Sequence, residues 1–213
     1  ARIEYIPLTE DGQLTVENFR QALHENVRVV ALASVTNVLG YVADMRQISR
    51  LAHEAGAVVV CDGAQSVPHV ATDVRDWDVD FLAFSGHKMC GPTGIGVLYG
   101  KYELLQKMDA FMLGGGSNAR FDMCGNILLK QAPFKFEAGT PAIEAALGLK
   151  QAIEYLEAIG MDNIEEAERQ LKRYAVEQLQ KLDHLILYNP HSTSGIITFN
   201  AKEVFAQDAA SYL

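Results

Sequence analysis

The sequence predicts an α/β protein with a mostly parallel sheet flanked by helices on both faces. Three short apolar runs, at 27–34, 57–61 and 79–84, have the length and composition of buried strands. Strand and helix signals alternate through the first two thirds of the chain, which is typical of a parallel sheet. With 213 residues, 49 % hydrophobic and 21 % charged, the chain is long enough for one domain and part of another.

The elements of the first half follow in order. After the first strand, Asp44 is predicted to cap a helix whose apolar positions repeat at helical spacing, and Gly56 is predicted to end it. A further strand is expected at 95–99, after a turn that contains glycine and proline. Between 110 and 139 the pattern weakens, so we expect loops with at most short strands.

Two helices are predicted next. Thr140 has the residue type of an N-cap and Pro141 that of a first helical position, so a helix is expected to run from there towards Gly160. Asp162 and Glu165 have the spacing of a capping box, which predicts a second helix ending near residue 182.

The tail indicates a second domain. Short strands are expected at 185–188 and 195–199, and a helix is expected to begin near residue 207. We therefore assign 1–159 to the central part of a large domain and 160–213 to the start of a smaller C-terminal α+β domain, which this sequence leaves incomplete.

Charge and composition exclude several function classes. The formal net charge of −9 argues against nucleic acid or an anionic membrane surface as a partner. No apolar stretch approaches the roughly 20 residues of a membrane span, and no secretory signal is visible. Cys61, Cys90 and Cys124 form no C-x-x-C pair, so neither a disulfide framework nor a metal site is expected. A cytoplasmic protein is the simplest interpretation.

Two predicted strand ends carry an acid and an amine. Asp62 directly follows one apolar run, and Lys88 follows the next after Ser85-Gly86-His87. Open α/β sheets bind ligands at the carboxyl ends of their strands. Pyridoxal 5′-phosphate chemistry needs an amine that bonds to an aldehyde and an acid that keeps a pyridine nitrogen protonated. We therefore predict a pyridoxal phosphate site built on Lys88 and Asp62, although each alone has an ordinary structural explanation as a surface lysine or a turn aspartate.

Three neighbouring residues suit the rest of such a cofactor. Gln65 is a candidate hydrogen-bond partner for the phenolate oxygen of the ring. Ser85 and His87 flank a glycine, so that a hydroxyl, an imidazole and backbone amides can converge on a phosphate. Singly, each residue is more often structural. The clustering of all of them favours a phosphate site.

Four motifs together resemble one enzyme family. They are Thr36-Asn37-Val38-Leu39-Gly40, Asp62-Gly63-Ala64-Gln65, Phe84-Ser85-Gly86-His87-Lys88 with the turn at 91–96, and Phe136-Glu137-Ala138-Gly139-Thr140-Pro141. In this order they resemble the group II cysteine desulfurases, which are close to selenocysteine lyases and belong to the class V aminotransferase superfamily. The resemblance implies the fold of the pyridoxal phosphate-dependent transferases, the aspartate aminotransferase-like fold type I.

The resemblance also implies roles for the predicted residues. Lys88 would be the catalytic lysine that binds the cofactor covalently, with Asp62 on the pyridine nitrogen and Gln65 on the phenolate oxygen. Ser85 and His87 would hold the phosphate, and His87 is assigned with Lys88 to the catalytic group.

Two further roles come from the resemblance alone. Asn37 would lie beside cofactor and substrate, and Thr140 would reach the phosphate in the neighbouring subunit, which implies a homodimer. The implied reaction converts L-cysteine, or selenocysteine, to L-alanine and passes sulfur as a persulfide to an acceptor protein for iron–sulfur cluster assembly. The family's nucleophilic cysteine and substrate-binding arginine are expected outside this sequence, so the chain alone is expected to be inactive.

Other functions stay open at this point. A second class V enzyme, such as a selenocysteine lyase, a kynureninase-like hydrolase or an aminotransferase, would use the same cofactor residues. A catalytically silent fragment that acts as a binding or dimerisation module is the alternative of a different class.

Overall fold

The central element is a four-stranded sheet, seen in a computed structural model that describes residues 2–213. Its strands lie in the order β1, β2, β3, β4, with the bounds Val29–Ala33, Val58–Asp62, Phe81–Ser85 and Gly96–Gly100. The first three are parallel, and β4 runs antiparallel to β3. The reversal follows from the short connection, since a parallel neighbour would need a crossover of a dozen residues or more. The predicted α/β class with a mostly parallel sheet is confirmed.

Four helices accompany this sheet, with the bounds Val16–Ala22 for α1, Met45–Glu54 for α2, Val74–Trp77 for α3 and Tyr102–Lys107 for α4. Only α2 was predicted. The other three have 7, 4 and 6 residues, which is too short to establish a helical repeat of apolar positions.

One face of the sheet forms the main core. The strands contribute Val30, Val59, Cys61 and Leu82, and helices α1 and α2 cover them with Phe19, Met45, Ile48 and Ala52. On the opposite face Val29 and Leu98 are 60 % and 56 % exposed. The described residues therefore leave much of that face open, where helices on both faces were expected.

Asp44 caps α2 as predicted. Its Oδ1 accepts the backbone N–H of Gln47 at 3.0 Å. Because this bond satisfies an otherwise unpaired donor, we expect Asp44→Ala to lower the free energy of unfolding by about 1 kcal/mol. Denaturant titration measures this loss, and Asp44→Ser should retain most of the stability. Equal stabilities for the two variants would contradict the assignment.

The middle of the chain has little regular structure, as expected. Two short strands, β5 (Asn118–Phe121) and β6 (Ile127–Leu129), form an antiparallel hairpin. No helix among residues 2–213 combines the length and apolarity required to cross a membrane.

The last third contains two long helices and a hairpin. Their bounds are Ile143–Ile159 for α5, Met161–Leu179 for α6, Leu185–Tyr188 for β7, Thr198–Ala201 for β8 and Ala206–Tyr212 for α7. Strands β7 and β8 pair antiparallel. Strand β7 has the predicted bounds, whereas β8 begins three residues later than expected.

Both predicted helix starts in this region are wrong. Helix α5 has Ala142 as its N-cap, and Thr140 lies before the helix. Helix α6 follows α5 after Gly160 alone, which places Asp162 in its first turn instead of at the cap. The break between the two helices is possible there because Gly160 has a φ of +91°, which residues with a Cβ rarely adopt. Asp162 still favours the helix start through the helix dipole.

Candidate active site

The acid and the amine lie at the ends of neighbouring parallel strands. Asp62 is the last residue of β2, and it pairs in register with Ala33 of β1 and Ala83 of β3. Lys88 ends a 3₁₀ turn that follows β3 directly. Because Cys61 is buried in the core and side chains alternate along a strand, Asp62 projects to the opposite, more open face.

Asp62 is held in place but retains free acceptor capacity. Its Oδ1 accepts the N–H of Ala64 at 2.9 Å, as expected for a turn aspartate. The side chain is exposed, and no salt bridge involves it in the part of the chain that the structure describes. The carboxylate can therefore fill the turn role and still meet a cation on a ligand.

Lys88 projects from a turn that the neighbouring helix anchors. The next residue, Met89, is buried and packs against Leu149 and Leu156 of α5. Lys88 itself is exposed and has no salt bridge to any of residues 2–213. Since the residue beside it is fixed in a core, the amine is presented from a well-supported backbone.

The turn itself requires a glycine at its start. Gly86 is buried and donates its N–H to the carbonyl of Ile95 at 2.9 Å, while Gly91 donates to the carbonyl of Gly86 at 2.9 Å. A Cβ on Gly86 would lie 2.8 Å from Ile95 Cγ2. Ser85 is half-buried and His87 exposed, and neither side chain has a hydrogen-bond partner within the described chain. Their hydroxyl and imidazole groups are thus available to a ligand.

Asn37 and Gln65 meet beside this edge. Gln65 Nε2 donates to Asn37 Oδ1, which joins the turn after β1 to the loop after β2. Thr140 is exposed before α5, and among the described residues no hydrogen bond connects it to the other predicted site residues. The structure thus brings Asn37 into contact with Gln65. It places Asp62 at the end of β2, next to β3, which leads to Lys88.

A cavity of about 530 Å³ lies next to Gln65, between α6 and the loops after β1 and β2. Gln65 is the only predicted site residue in its lining, which also includes Val35, Val42, His69, Val70, residues of α6 and residues 193–197. Lys172 of α6 also lines it, is 5 % exposed, and has no hydrogen-bond partner for Nζ within residues 2–213. Burial lowers the pKa of Lys172.

The sequence analysis did not single out Lys172. Its signal is a lysine four residues before Val176, at helical spacing on the buried side of α6. The cysteines behave as ordinary free residues: Cys90 and Cys124 are exposed, and burial raises the pKa of the Cys61 thiol. Cys61 is therefore a poor nucleophile.

Comparisons with known proteins agree on one group of relatives. Residues 1–213 match the family described as Aminotransferase class-V. The chain is 43 % identical to a probable cysteine desulfurase of Halalkalibacterium halodurans, over 100 % of this chain and 52 % of that protein. The chain therefore spans about half the length of the curated relatives it matches.

Solved structures agree in fold. The cysteine desulfurase CsdA from Escherichia coli matches with a TM-score of 0.90 and 35 % identity, over 97 % of this chain and 51 % of that one. The apo cysteine desulfurase from Thermococcus onnurineus matches with a TM-score of 0.92 and 34 % identity, over 98 % and 52 %. These likenesses confirm the predicted fold class.

Proposed function

Because the chain belongs to the aminotransferase class-V family, we propose that its full-length protein is a pyridoxal phosphate-dependent cysteine desulfurase, which converts L-cysteine to L-alanine and passes the sulfur to an acceptor. The observation that carries the proposal is the placement of Lys88 and Asp62 at the carboxyl ends of adjacent parallel strands, without a salt bridge to any described residue. A pair of exposed charges is ordinary elsewhere on a protein surface, but these two lie at the edge where such sheets bind ligands.

The side chains at this edge suit pyridoxal phosphate. Asp62 offers a free carboxylate oxygen for the pyridine nitrogen, and Gln65 offers an amide for the phenolate oxygen. Ser85 and His87 supply a hydroxyl and an imidazole without partners in the described chain, which suits a phosphate that needs several donors at once. When bound, the cofactor supplies an electron sink for the carbanion formed at the substrate α-carbon.

The residues of the chain itself orient groups and move a proton. Lys88 Nζ would hold the cofactor through its aldehyde, and the same amine would be the base for the α-proton of L-cysteine. Asp62 keeps positive charge on the pyridine nitrogen, and Asn37 lies on the substrate side with its amide fixed by Gln65. Cys61 does not suit the role of the thiol that takes the sulfur, because it is buried in the core and burial raises its thiol pKa.

The wider setting belongs to the same proposal. We propose a cytoplasmic homodimer in which Thr140 reaches the partner subunit's cofactor, and a role for the released sulfur in iron–sulfur cluster assembly. The exposure of Thr140 ahead of α5 supports the first part. A domain division at residue 160 is supported by the break between α5 and α6 at Gly160.

The test uses the full-length protein, loaded with pyridoxal phosphate and given L-cysteine and a thiol reductant. We expect L-alanine and sulfide in equal amounts. Alanine without sulfide, or no alanine beside turnover of another amino acid, would contradict the proposal in favour of a different class V reaction.

Asp62→Asn is expected to lower kcat for alanine release by about 10²-fold. The amide keeps the oxygen that accepts the Ala64 N–H but no longer stabilises a protonated pyridine nitrogen. Asp73→Asn is the matched control, because Asp73 Oδ1 also accepts an N–H two residues on, from Arg75 at 2.8 Å. Similar kcat values for the two variants would refute the role of Asp62.

A further inference from the structure

Four side chains of the segment 189–198, which joins β7 to the first residue of β8, donate hydrogen bonds to one turn beside the candidate active site. The turn, 36–41, follows β1 and carries Asn37. The acceptors are the backbone carbonyl oxygens of residues 38–40, and the donors are the side chains of Asn189, Ser192, Ser194 and Thr198. Ser194 Oγ lies 2.7 Å from the Gly40 oxygen. The contact joins segments about 150 residues apart in the sequence.

The close fit of these segments depends on Gly40. It is buried, and its φ is +65°. A Cβ at this position would lie 2.8 Å from Ile196 Cβ and would collide with the Ser194 hydroxyl. The segment 189–198 therefore lies directly on the backbone of the turn, and a residue with a side chain at position 40 would prevent this contact.

Apolar side chains on both segments border a cavity beside this contact. Val35 and Val42, which flank the turn, and Ile196 of the segment 189–198 all line the cavity of about 530 Å³. Side chains that face a cavity lose packing contacts on that side. The cavity therefore limits the apolar contact there, while the bonds to the carbonyls of 38–40 join the two segments directly.

The turn held by these bonds carries Asn37, whose side chain is proposed to lie beside the substrate. Asn37 Oδ1 accepts from Gln65 Nε2, which leaves Asn37 Nδ2 to donate to a ligand. Internal bonds such as Tyr41 N–H to Thr36 Oγ1, at 2.9 Å, keep the turn in one shape. A shift of the turn would therefore move Asn37 with it.

We propose that the segment 189–198 is a clamp that positions Asn37 towards the substrate, with Ser192 and Ser194 as positioning residues. The inference rests on the proposed function, in which Asn37 lies beside the substrate. The clamp links the predicted C-terminal domain to the carboxyl edge of the sheet, where the cofactor is proposed to bind. A movement of β7 and β8 would therefore also move Asn37. Substrate affinity would thus depend on hydroxyl groups that never touch the substrate.

The first test measures the clamp without activity. In the full-length protein, Ser192→Ala/Ser194→Ala should accelerate amide hydrogen exchange of residues 36–41 about tenfold, as expected when two hydrogen bonds are lost. Ser211→Ala is the matched control, because Ser211 Oγ also donates to a backbone carbonyl, that of Gln207 at 2.8 Å, but within α7. The control should leave the exchange of 36–41 unchanged.

The second test measures positioning. We expect the double variant to raise KM for L-cysteine about tenfold with kcat changed by less than about twofold. Combined with Asn37→Ala, it should add little further, because both changes remove the same contact.

Unchanged exchange, or faster exchange with an unchanged KM, would overturn the clamp. Absence of alanine release in the wild-type protein would refute the proposed function instead. In that case the exchange measurement would still decide whether the segment 189–198 holds the turn 36–41.

Discussion

Lys88→Ala is expected to abolish covalent attachment of pyridoxal phosphate and to lower alanine release from L-cysteine by about 10³-fold in the full-length protein. The amine of Lys88 is the group proposed both to bond to the cofactor aldehyde and to remove the α-proton, so its loss removes two functions at once. Packing of Met89 against α5 does not depend on the Lys88 side chain, so the variant should fold.

One other lysine, Lys172, is a rival because of its position. Lys172 lines the cavity beside Gln65, and burial lowers its pKa, which favours the neutral, nucleophilic form. Lys172→Met is therefore the matched control, because methionine fills similar apolar space without an amine.

Borohydride reduction followed by peptide mapping distinguishes the two lysines. We expect the reduced cofactor on the peptide that contains Lys88, in the wild type and in Lys172→Met alike. Attachment at Lys172, or an adduct that persists in Lys88→Ala, would refute the assignment.

Those parts of the site that lie within a strand and its end could be predicted from the sequence. Alternation along a strand sends Cys61 into the core and Asp62 to the other face, and apolar runs locate the strand ends to within a few residues. The order of the sheet then brings Asp62 next to the strand that leads to Lys88. These placements depend on local pattern and on the rule that parallel strands share their carboxyl ends.

What the sequence could not provide depends on distant contacts. The bond between Gln65 and Asn37 joins two loops, and the clamp joins residues 189–198 to a turn near residue 40. Neither contact leaves a periodic pattern in the sequence, because both join irregular segments. Packing elsewhere in the fold brings these segments together.

The helix starts show the same distinction. Asp44 precedes an amphipathic segment whose core-facing residue Met45 fixes where α2 must begin, so the cap could be predicted. Thr140 has the residue type of a cap, but α5 begins after Ala142. The position of α5 follows from the packing of Leu149 on Met89. Cap chemistry is a weak signal where tertiary contacts determine the first turn.

Asp80→Ala is expected to lower the free energy of unfolding by about 3 kcal/mol or more, the usual cost of removing one partner from a buried charge network. Asp80 is 5 % exposed. It accepts hydrogen bonds from the backbone N–H of Val59 at 2.7 Å and from His53 Nε2 at 2.9 Å, and Lys101 Nζ lies 2.9 Å from its other oxygen. The carboxylate thus ties β2, the start of β3 and the end of β4 together at the edge opposite the candidate active site.

The pH dependence follows from the same contacts. Burial alone would raise the pKa of Asp80, but the bonds from Val59, Lys101 and His53 together outweigh it and lower the pKa. A carboxyl whose pKa is lower in the folded state stabilises the fold above its unfolded pKa, about 3.9. This stability is lost as the pH falls from there through the folded pKa.

Denaturant titrations between about pH 2 and 7 test both statements. Asp80→Asn should be less stable than wild type at neutral pH and should lose less stability on acidification, because the amide does not titrate. Asp76→Asn is the control, since Asp76 pairs with Arg46 at an exposed position and should cost less than about 1 kcal/mol. Equal losses in the two variants would show that Asp80 is no more than a surface charge. A larger loss at Asp80 would show that this buried network stabilises the far ends of β2, which ends at Asp62, and of β3, which leads into the turn that carries Lys88.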